Sequence, residues 1–208
     1  MAIIDISRTL WPDVATWPGD TRFSLTTMLD RGKGHSVNLT TITMSAHTGS
    51  HVDAPYHFTD EGPTIEAVDL RPFWGLTQVV TIHKQPGPLF PQDFSDYDLS
   101  EAPRLLVHTP ASSFDPALFP HNILYPSPAL ADYLGRLEII LYGTDAPSMD
   151  KTDDPHLPGH NALLRNNIAI LEGLDLTHAP DGLYELVALP LKIQNGDGSP
   201  VRAALRPI

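Results

Sequence analysis

Apolar residues in this chain fall in short runs broken by Pro, Gly, Asn and Asp, a spacing that suits strands and turns better than long helices. Residues 2–7 predict a first strand. Residues 11–20 contain Trp11-Pro12 and Trp17-Pro18-Gly19-Asp20 and predict a turn-rich loop. Residues 23–29 and 36–46 are rich in Thr, Leu, Val and Ile and predict two strands, the second running straight into His47. Apolar, β-branched runs at 76–83, 104–109 and 137–142 predict three more. Ser127-Pro128 supplies an N-cap and a first helical residue for a short helix through Leu134. Residues 160–166 predict a second helix, stopped by Asn166-Asn167. Ile168 to Glu172 then reads as a buried strand with a carboxylate at its end. Residues 184–193 and 201–205 predict closing strands across the turn-rich segment Asn195 to Pro200. The pattern is strand-heavy with two or three helices, and no repeat or linker divides it.

Composition narrows this picture. The 208 residues suffice for one domain, 1–208, with a sizeable core. Hydrophobic content of 41% and charged content of 18% belong to a globular chain rather than a disordered one. The 21 prolines, about twice average usage, favour loops over long helices. A formal net charge of −12 repels phosphate backbones, so nucleic acid is not expected as a partner. The absence of cysteine excludes disulfides and thiolate metal sites. Asp5 falls too early for a signal peptide, and no run approaches the ~20 apolar residues of a membrane helix. A soluble cytoplasmic protein with no membrane partner is expected.

The candidate chemistry is concentrated in His47-Thr48-Gly49-Ser50-His51-Val52-Asp53-Ala54-Pro55-Tyr56-His57. Imidazole nitrogens and carboxylate oxygens are ligands for zinc and similar divalent ions. A helix would put His47 and His51 on one face but turn Asp53 away, and Gly49, Thr48, Val52 and Pro55 all weaken a helix. A fully extended segment would hold His47 and Asp53 roughly 20 Å apart at ~3.3 Å per residue. Zinc bonds are only about 2.0–2.2 Å long. A bent loop wrapping a metal is therefore expected, with Gly49 at the sharp point. Taken singly, Glu172 at a strand end and His160 at a helix start carry little weight. The chain has no G-x-S-x-G, H-E-x-x-H, Walker or G-x-G-x-x-G pattern, which disfavours those catalytic designs.

The segment His47 to His57 matches H-x-G-[TS]-H-x-D-x-P-x-H, and on it the chain is identified as a member of the cyclase-like metal-dependent hydrolases. Within that group it resembles the bacterial kynurenine formamidase (arylformamidase) family. Trp17-Pro18-Gly19-Asp20, Gly143-Thr144-Asp145, Leu157-Pro158-Gly159-His160, Ala169 to Leu174 and Ser199 to Ala203 carry that likeness along almost the whole chain. Ser50 stands where Thr is commoner and keeps the hydroxyl.

The resemblance implies a strand-rich α/β single domain with a swivelling β/β/α (cyclase-like) fold, a homodimer and two divalent ions per chain, zinc first and manganese as the alternative. It implies metal ligation by His47, His51, Asp53, His160 and Glu172, with Asp53 able to bridge. It gives the acid/base role to His57, whose other reading is a residue orienting Asp53, and substrate contact to Trp17, whose other reading is packing on the core. The implied reaction is hydrolysis of the small molecule N-formyl-L-kynurenine to L-kynurenine and formate in tryptophan degradation. A related amidohydrolase such as an isatin hydrolase, or a non-catalytic metal-binding protein, are the alternatives.

Overall fold

The central apolar runs fold into strands that are covered on both faces. The computed structural model describes residues 2–208. In chain order its elements are β1 (Ile4–Asp5), β2 (Ser24–Leu29), β3 (Leu39–Thr43), β4 (His51–Asp53), β5 (Trp74–Thr81), β6 (Gly87–Leu89) and β7 (Arg104–His108). There follow β8 (Leu124–Pro126), α1 (Pro128–Arg136), β9 (Leu141–Thr144), α2 (Pro158–Arg165), β10 (Ala169–Glu172), β11 (Gly182–Val187), β12 (Gly198–Pro200) and β13 (Ala204–Pro207). Short 3₁₀ turns fill several connections.

Nine strands make one sheet in the order β1-β13-β11-β5-β7-β9-β10-β4-β12. The four central strands β5, β7, β9 and β10 run parallel, and antiparallel strands flank them on both sides. Parallel strands are buried on both faces and so show continuous apolar runs instead of alternation. Side chains still alternate between faces with period two. Val80, Leu105, Val107, Tyr142 and Ile170 point to one core, which α1 and α2 cover with Leu130, Leu134, Ala162 and Leu163. Val79, Leu106, Leu141 and Leu171 point to the other, shared with Ile6, Leu186 and Leu205. The first and last strands, β1 and β13, pair with each other.

Helix α1 starts where its cap predicts, with Ser127 Oγ accepting from the Leu130 N–H at 3.1 Å and Pro128 in the first turn. Other boundaries move, for visible reasons. The 36–46 strand shrinks to β3 because Ser45 and Thr48 close a turn before the His cluster (Thr48 N–H to Ser45 O, 3.3 Å). The 137–142 strand starts only at Leu141, since Leu137 ends α1 and Glu138 takes a left-handed φ of 59°. The 184–193 strand stops at Val187, ahead of Pro190, and the 201–205 strand shifts to Ala204–Pro207. The expected turn at 195–200 contains the edge strand β12, with Pro200 at its end. β2 and β3 form a separate, exposed two-stranded ribbon. None of the described helices is long and apolar enough to cross a membrane.

Candidate active site

The expected loop around the His cluster is corrected by the structure in its second half. The chain turns at Gly49 (φ 71°), runs as strand β4 over His51–Asp53, and enters a 3₁₀ turn at Pro55–His57. Three polar-flanked residues carry no strand pattern of their own. They form a strand because β10 and β12 supply hydrogen-bonding partners on both sides. As residues i and i+2 of a strand, His51 and Asp53 share a face. Glu172 stands directly opposite His51 across the β4–β10 pairing. The turn then folds His47 back, so its Nδ1 lies 2.9 Å from Asp53 Oδ1.

Two glycines make this close packing possible. Gly173 (φ 65°) follows Glu172, and a Cβ there would lie 2.2 Å from Gly49 O. Gly198 on β12 faces His47, and its Cβ would lie 2.7 Å from the imidazole. Ser50 Oγ seals the junction by donating to Gly173 O at 2.7 Å.

His160 arrives from the first turn of α2, whose N-cap Leu157 is left-handed (φ 46°) and lines the cleft. The buried Asp150 carboxylate accepts from Gly159 N–H (2.6 Å), His160 N–H (3.0 Å) and His160 Nδ1–H (2.7 Å). That contact turns His160 Nε2 toward Asp53 Oδ2 and Glu172 Oε1, each 3.5 Å away. His51 is fixed in the same manner: Nδ1–H donates to Gly49 O at 2.9 Å, and Nε2 stands 3.4 Å from Asp53 Oδ1 and 3.3 Å from Glu172 Oε2.

These separations fit a metal better than they fit hydrogen bonds. An N–H···O bond has its mode near 2.9–3.0 Å. A tetrahedral ion with bonds of about 2.0–2.1 Å spaces its ligand atoms by about 3.3 Å. Asp53 Oδ2 and Glu172 Oε1 are buried without any hydrogen-bond partner, a costly arrangement for two carboxylates unless a cation serves them. Two groups of ligand atoms gather within 4.8 Å, His47-Asp53-His57 and His51-Asp53-Glu172, and both contain Asp53. Burial alone would lower the His51 pKa, but hydrogen bonds and charge from Asp53 and Glu172 outweigh it and push it up to about 10. Burial is likewise overcome at His160, raised well above the usual imidazole range by Asp150, Asp53 and Glu172. Asp53 is held well below the carboxylate range by His160, His47 and His51, against its burial. A cation served by Asp53 and Glu172 would therefore compete with protons on the Nε2 atoms of His51 and His160.

His57 sits apart from this buried group. Its side chain keeps 35% exposure, against 4% for His51 and 5% for His160. Its Nδ1 lies 3.3 Å from Asp197 Oδ2, which also meets His47 Nε2 at 3.1 Å, and its ring stacks on His47 with centroids 3.9 Å apart. Among the described residues it makes no hydrogen bond to Asp53, so it does not orient that carboxylate directly.

His47, His51, His57, His160 and Glu172 line a cleft of about 360 Å³ beyond the carboxyl ends of β7, β9 and β10, where open parallel sheets bind ligands. Trp17 is 41% exposed on the cleft wall, edge-to-face with Phe119 at 5.1 Å. It is not a core residue. Sequence reasoning missed Asp150 and Asp197. Neither lies in the His cluster, and only three-dimensional contact marks them as partners of His160 and of His47 and His57.

With this geometry in view, the "Putative cyclase" family matches residues 4–151. The chain belongs to this cyclase family. A kynurenine formamidase of Geobacillus thermodenitrificans is 44% identical, covering 98% of this chain and 96% of its own length. One from Bacillus anthracis is 40% identical over 99% and 97%. Among solved structures, a "Potential Metal-Dependent Hydrolase With Cyclase Activity" superposes with TM-score 0.85 at 26% identity, over 98% of this chain and 96% of that one. Isatin hydrolase A from Labrenzia aggregata superposes with TM-score 0.81 at 26% identity, over 98% and 93%. The cyclase-like α/β fold expected from the sequence is the fold observed.

Proposed function

We propose that this chain, as one domain, is a metal-dependent amidohydrolase that converts N-formyl-L-kynurenine and water to L-kynurenine and formate. The observation that carries the reading is a buried His/Asp/Glu cluster, with two orphaned carboxylate oxygens, inside a chain related end to end to kynurenine formamidases. The identity of 44% to a formamidase against 26% to an isatin hydrolase favours the linear amide over the cyclic one. The enzyme names borne by these relatives speak against a non-catalytic metal-binding role. Metal-loaded protein assayed on N-formylkynurenine and on isatin tests this: preferential opening of isatin would overturn it.

In this reading His47, His51, Asp53, His160 and Glu172 would hold two divalent ions, zinc or manganese. Such ions acidify water and polarise a carbonyl oxygen. The chain's residues do the rest. Gly49 O and Asp150 fix the two buried imidazoles so that Nε2 faces the carboxylates. His57, with Nδ1 held by Asp197, has its other nitrogen available to protonate the aryl nitrogen as the formyl C–N bond breaks. Trp17 and Phe119 offer a flat apolar wall to the substrate's ring.

Elemental analysis of protein purified without chelator should give close to two ions per chain. Loading the metal-free protein near pH 7 should release protons, because His51 (about 10) and the raised His160 are protonated there. Calorimetry in buffers of different ionisation enthalpy counts them. A saturating stoichiometry of one removes the binuclear site.

Trp17→Ala should raise KM for N-formylkynurenine by about ten- to a hundredfold at unchanged metal content, the scale of losing one large apolar contact. A small aliphatic formamide should be affected much less. Equal losses on both substrates would make Trp17 a structural residue.

Homodimerisation belongs to the same proposal. The β2–β3 ribbon exposes Leu25, Met28, Leu39 and Ile42 at 50–58% each, an apolar surface that a second copy would cover. Ile42→Asp should shift the mass measured by light scattering from dimer to monomer, and a wild-type monomer would overturn the assignment. Cytoplasmic residence suits a chain without cysteine.

A further inference from the structure

The cleft wall contains one permanent cation whose purpose the hydrolytic machinery leaves unexplained. Arg8 is the only Arg or Lys among the residues lining the cleft, which also include Asp20, Asp115, Asp145 and Glu172. It comes from the segment just after β1, and two anchors fix it beside the metal cluster. Its backbone N–H donates to Ser50 Oγ at 2.9 Å, and that hydroxyl bonds Gly173 O next to Glu172. Its Nη2 donates to Ala111 O at 3.2 Å and Asp145 O at 3.1 Å, both on the cleft wall.

The rest of the guanidinium is unused. Among the described residues Nε and Nη1 have no hydrogen-bond partner, and Arg8 makes no ion pair. The nearby Asp145 carboxylate is already engaged by Thr109 N–H and Oγ–H and by Ser112 N–H and Oγ–H, at 2.6–3.0 Å. Burial disfavours the Arg8 charge, and the fields of Asp145 and Asp175 offset this only in part. With Nη2 committed to the two carbonyls, Nε and Nη1 are left as separate charged donors, each able to give a carboxylate oxygen one charge-assisted hydrogen bond.

We infer that Arg8 is a specificity residue that binds the α-carboxylate of an amino-acid substrate whose amide lies at the metal cluster. This rests on the formamidase reading, in which the substrate carries an α-amino acid at the end of its ketone side chain. Neither the metal ligands nor Trp17 can recognise that end. Arg8 distinguishes the amino-acid substrate from other aryl formamides, while Asp20 and Asp115, both exposed, supply the sign that the neighbouring ammonium needs.

The test alters the substrate first, so that folding is not at issue. Metal-loaded wild-type protein is assayed on N-formylkynurenine and on its α-carboxamide, which keeps the formamide, ring, ketone and amine. The carboxylate should be preferred by about 10- to 100-fold in kcat/KM, the worth of a hydrogen bond to a charged group. In Arg8→Gln the preference should collapse toward one, with the loss falling on the carboxylate substrate alone. Arg8→Lys keeps the charge without the anchored guanidinium and should retain a reduced preference. Equal turnover of both compounds by the wild type overturns the inference while leaving the formamidase reading intact. So does a preference that survives in Arg8→Gln. Turnover of neither compound overturns the formamidase reading itself, and the inference with it.

Discussion

His57→Ala should leave the metal content of the protein unchanged and lower kcat by about 10²- to 10⁴-fold, the contribution typical of a positioned acid or base. The two properties separate because His57 stands outside the buried carboxylate pair. His51 and His160 aim Nε2 at Asp53 and Glu172 and are almost sealed from solvent, whereas His57 is a third exposed and bonds Asp197. A departing aryl amine needs a proton, and a solvent-reachable imidazole in the cleft can supply it and be recharged. Steady-state kinetics beside elemental analysis of the same preparation decides the matter. If metal is lost in step with activity, the His47-Asp53-His57 group is a ligand set, and the proton donor must be sought elsewhere.

Asp150→Asn should weaken metal binding by about 10- to 100-fold, although Asp150 is not proposed as a ligand. Its carboxylate accepts three hydrogen bonds, from two backbone N–H groups and from His160 Nδ1–H, and it is almost wholly buried. An amide offers one acceptor oxygen and turns two donors toward donors. One of the three N–H groups then loses its partner, at a cost of about 1–3 kcal/mol. His160 also loses what fixes its tautomer and aim. Competition with a chelator of known affinity reads the loss, and thermal unfolding of the metal-free protein should show a parallel drop in Tm. Unchanged affinity would mean that His160 does not bind metal.

The sequence displayed the site unevenly, and the reasons are physical. His47, His51, Asp53 and His57 are legible together because a tight turn and a short strand bring near neighbours in the chain to one place. His160 and Glu172 are silent alone. Their meaning depends on the pairing of β10 with β4 and on α2 packing beside it, and only resemblance linked them to the cluster. Asp150 and Asp197 had no pattern to betray them, since a residue that orients an imidazole needs only to be close. The parallel strands were plain as apolar runs, because burial on both faces demands it. β4 and β12 were not, because His51, Asp53, Gly198 and Pro200 are selected by the site and the edge rather than by strand propensity. Pro158, in the first turn of α2, marks that helix's true start better than His160 does.

The junction of β4 with β10 also sets the order of events during synthesis. Ser50 and Gly173, 123 residues apart in the chain, are hydrogen bonded where the two halves of the site meet. Contacts between such distant segments form slowly, since the loop between them must be closed first. A nascent chain thus displays His47, His51 and Asp53 long before Glu172 has been translated. At that stage the three side chains have no neighbouring strand to hold them. The five-residue His/Asp/Glu cluster is therefore assembled only when the sheet is complete.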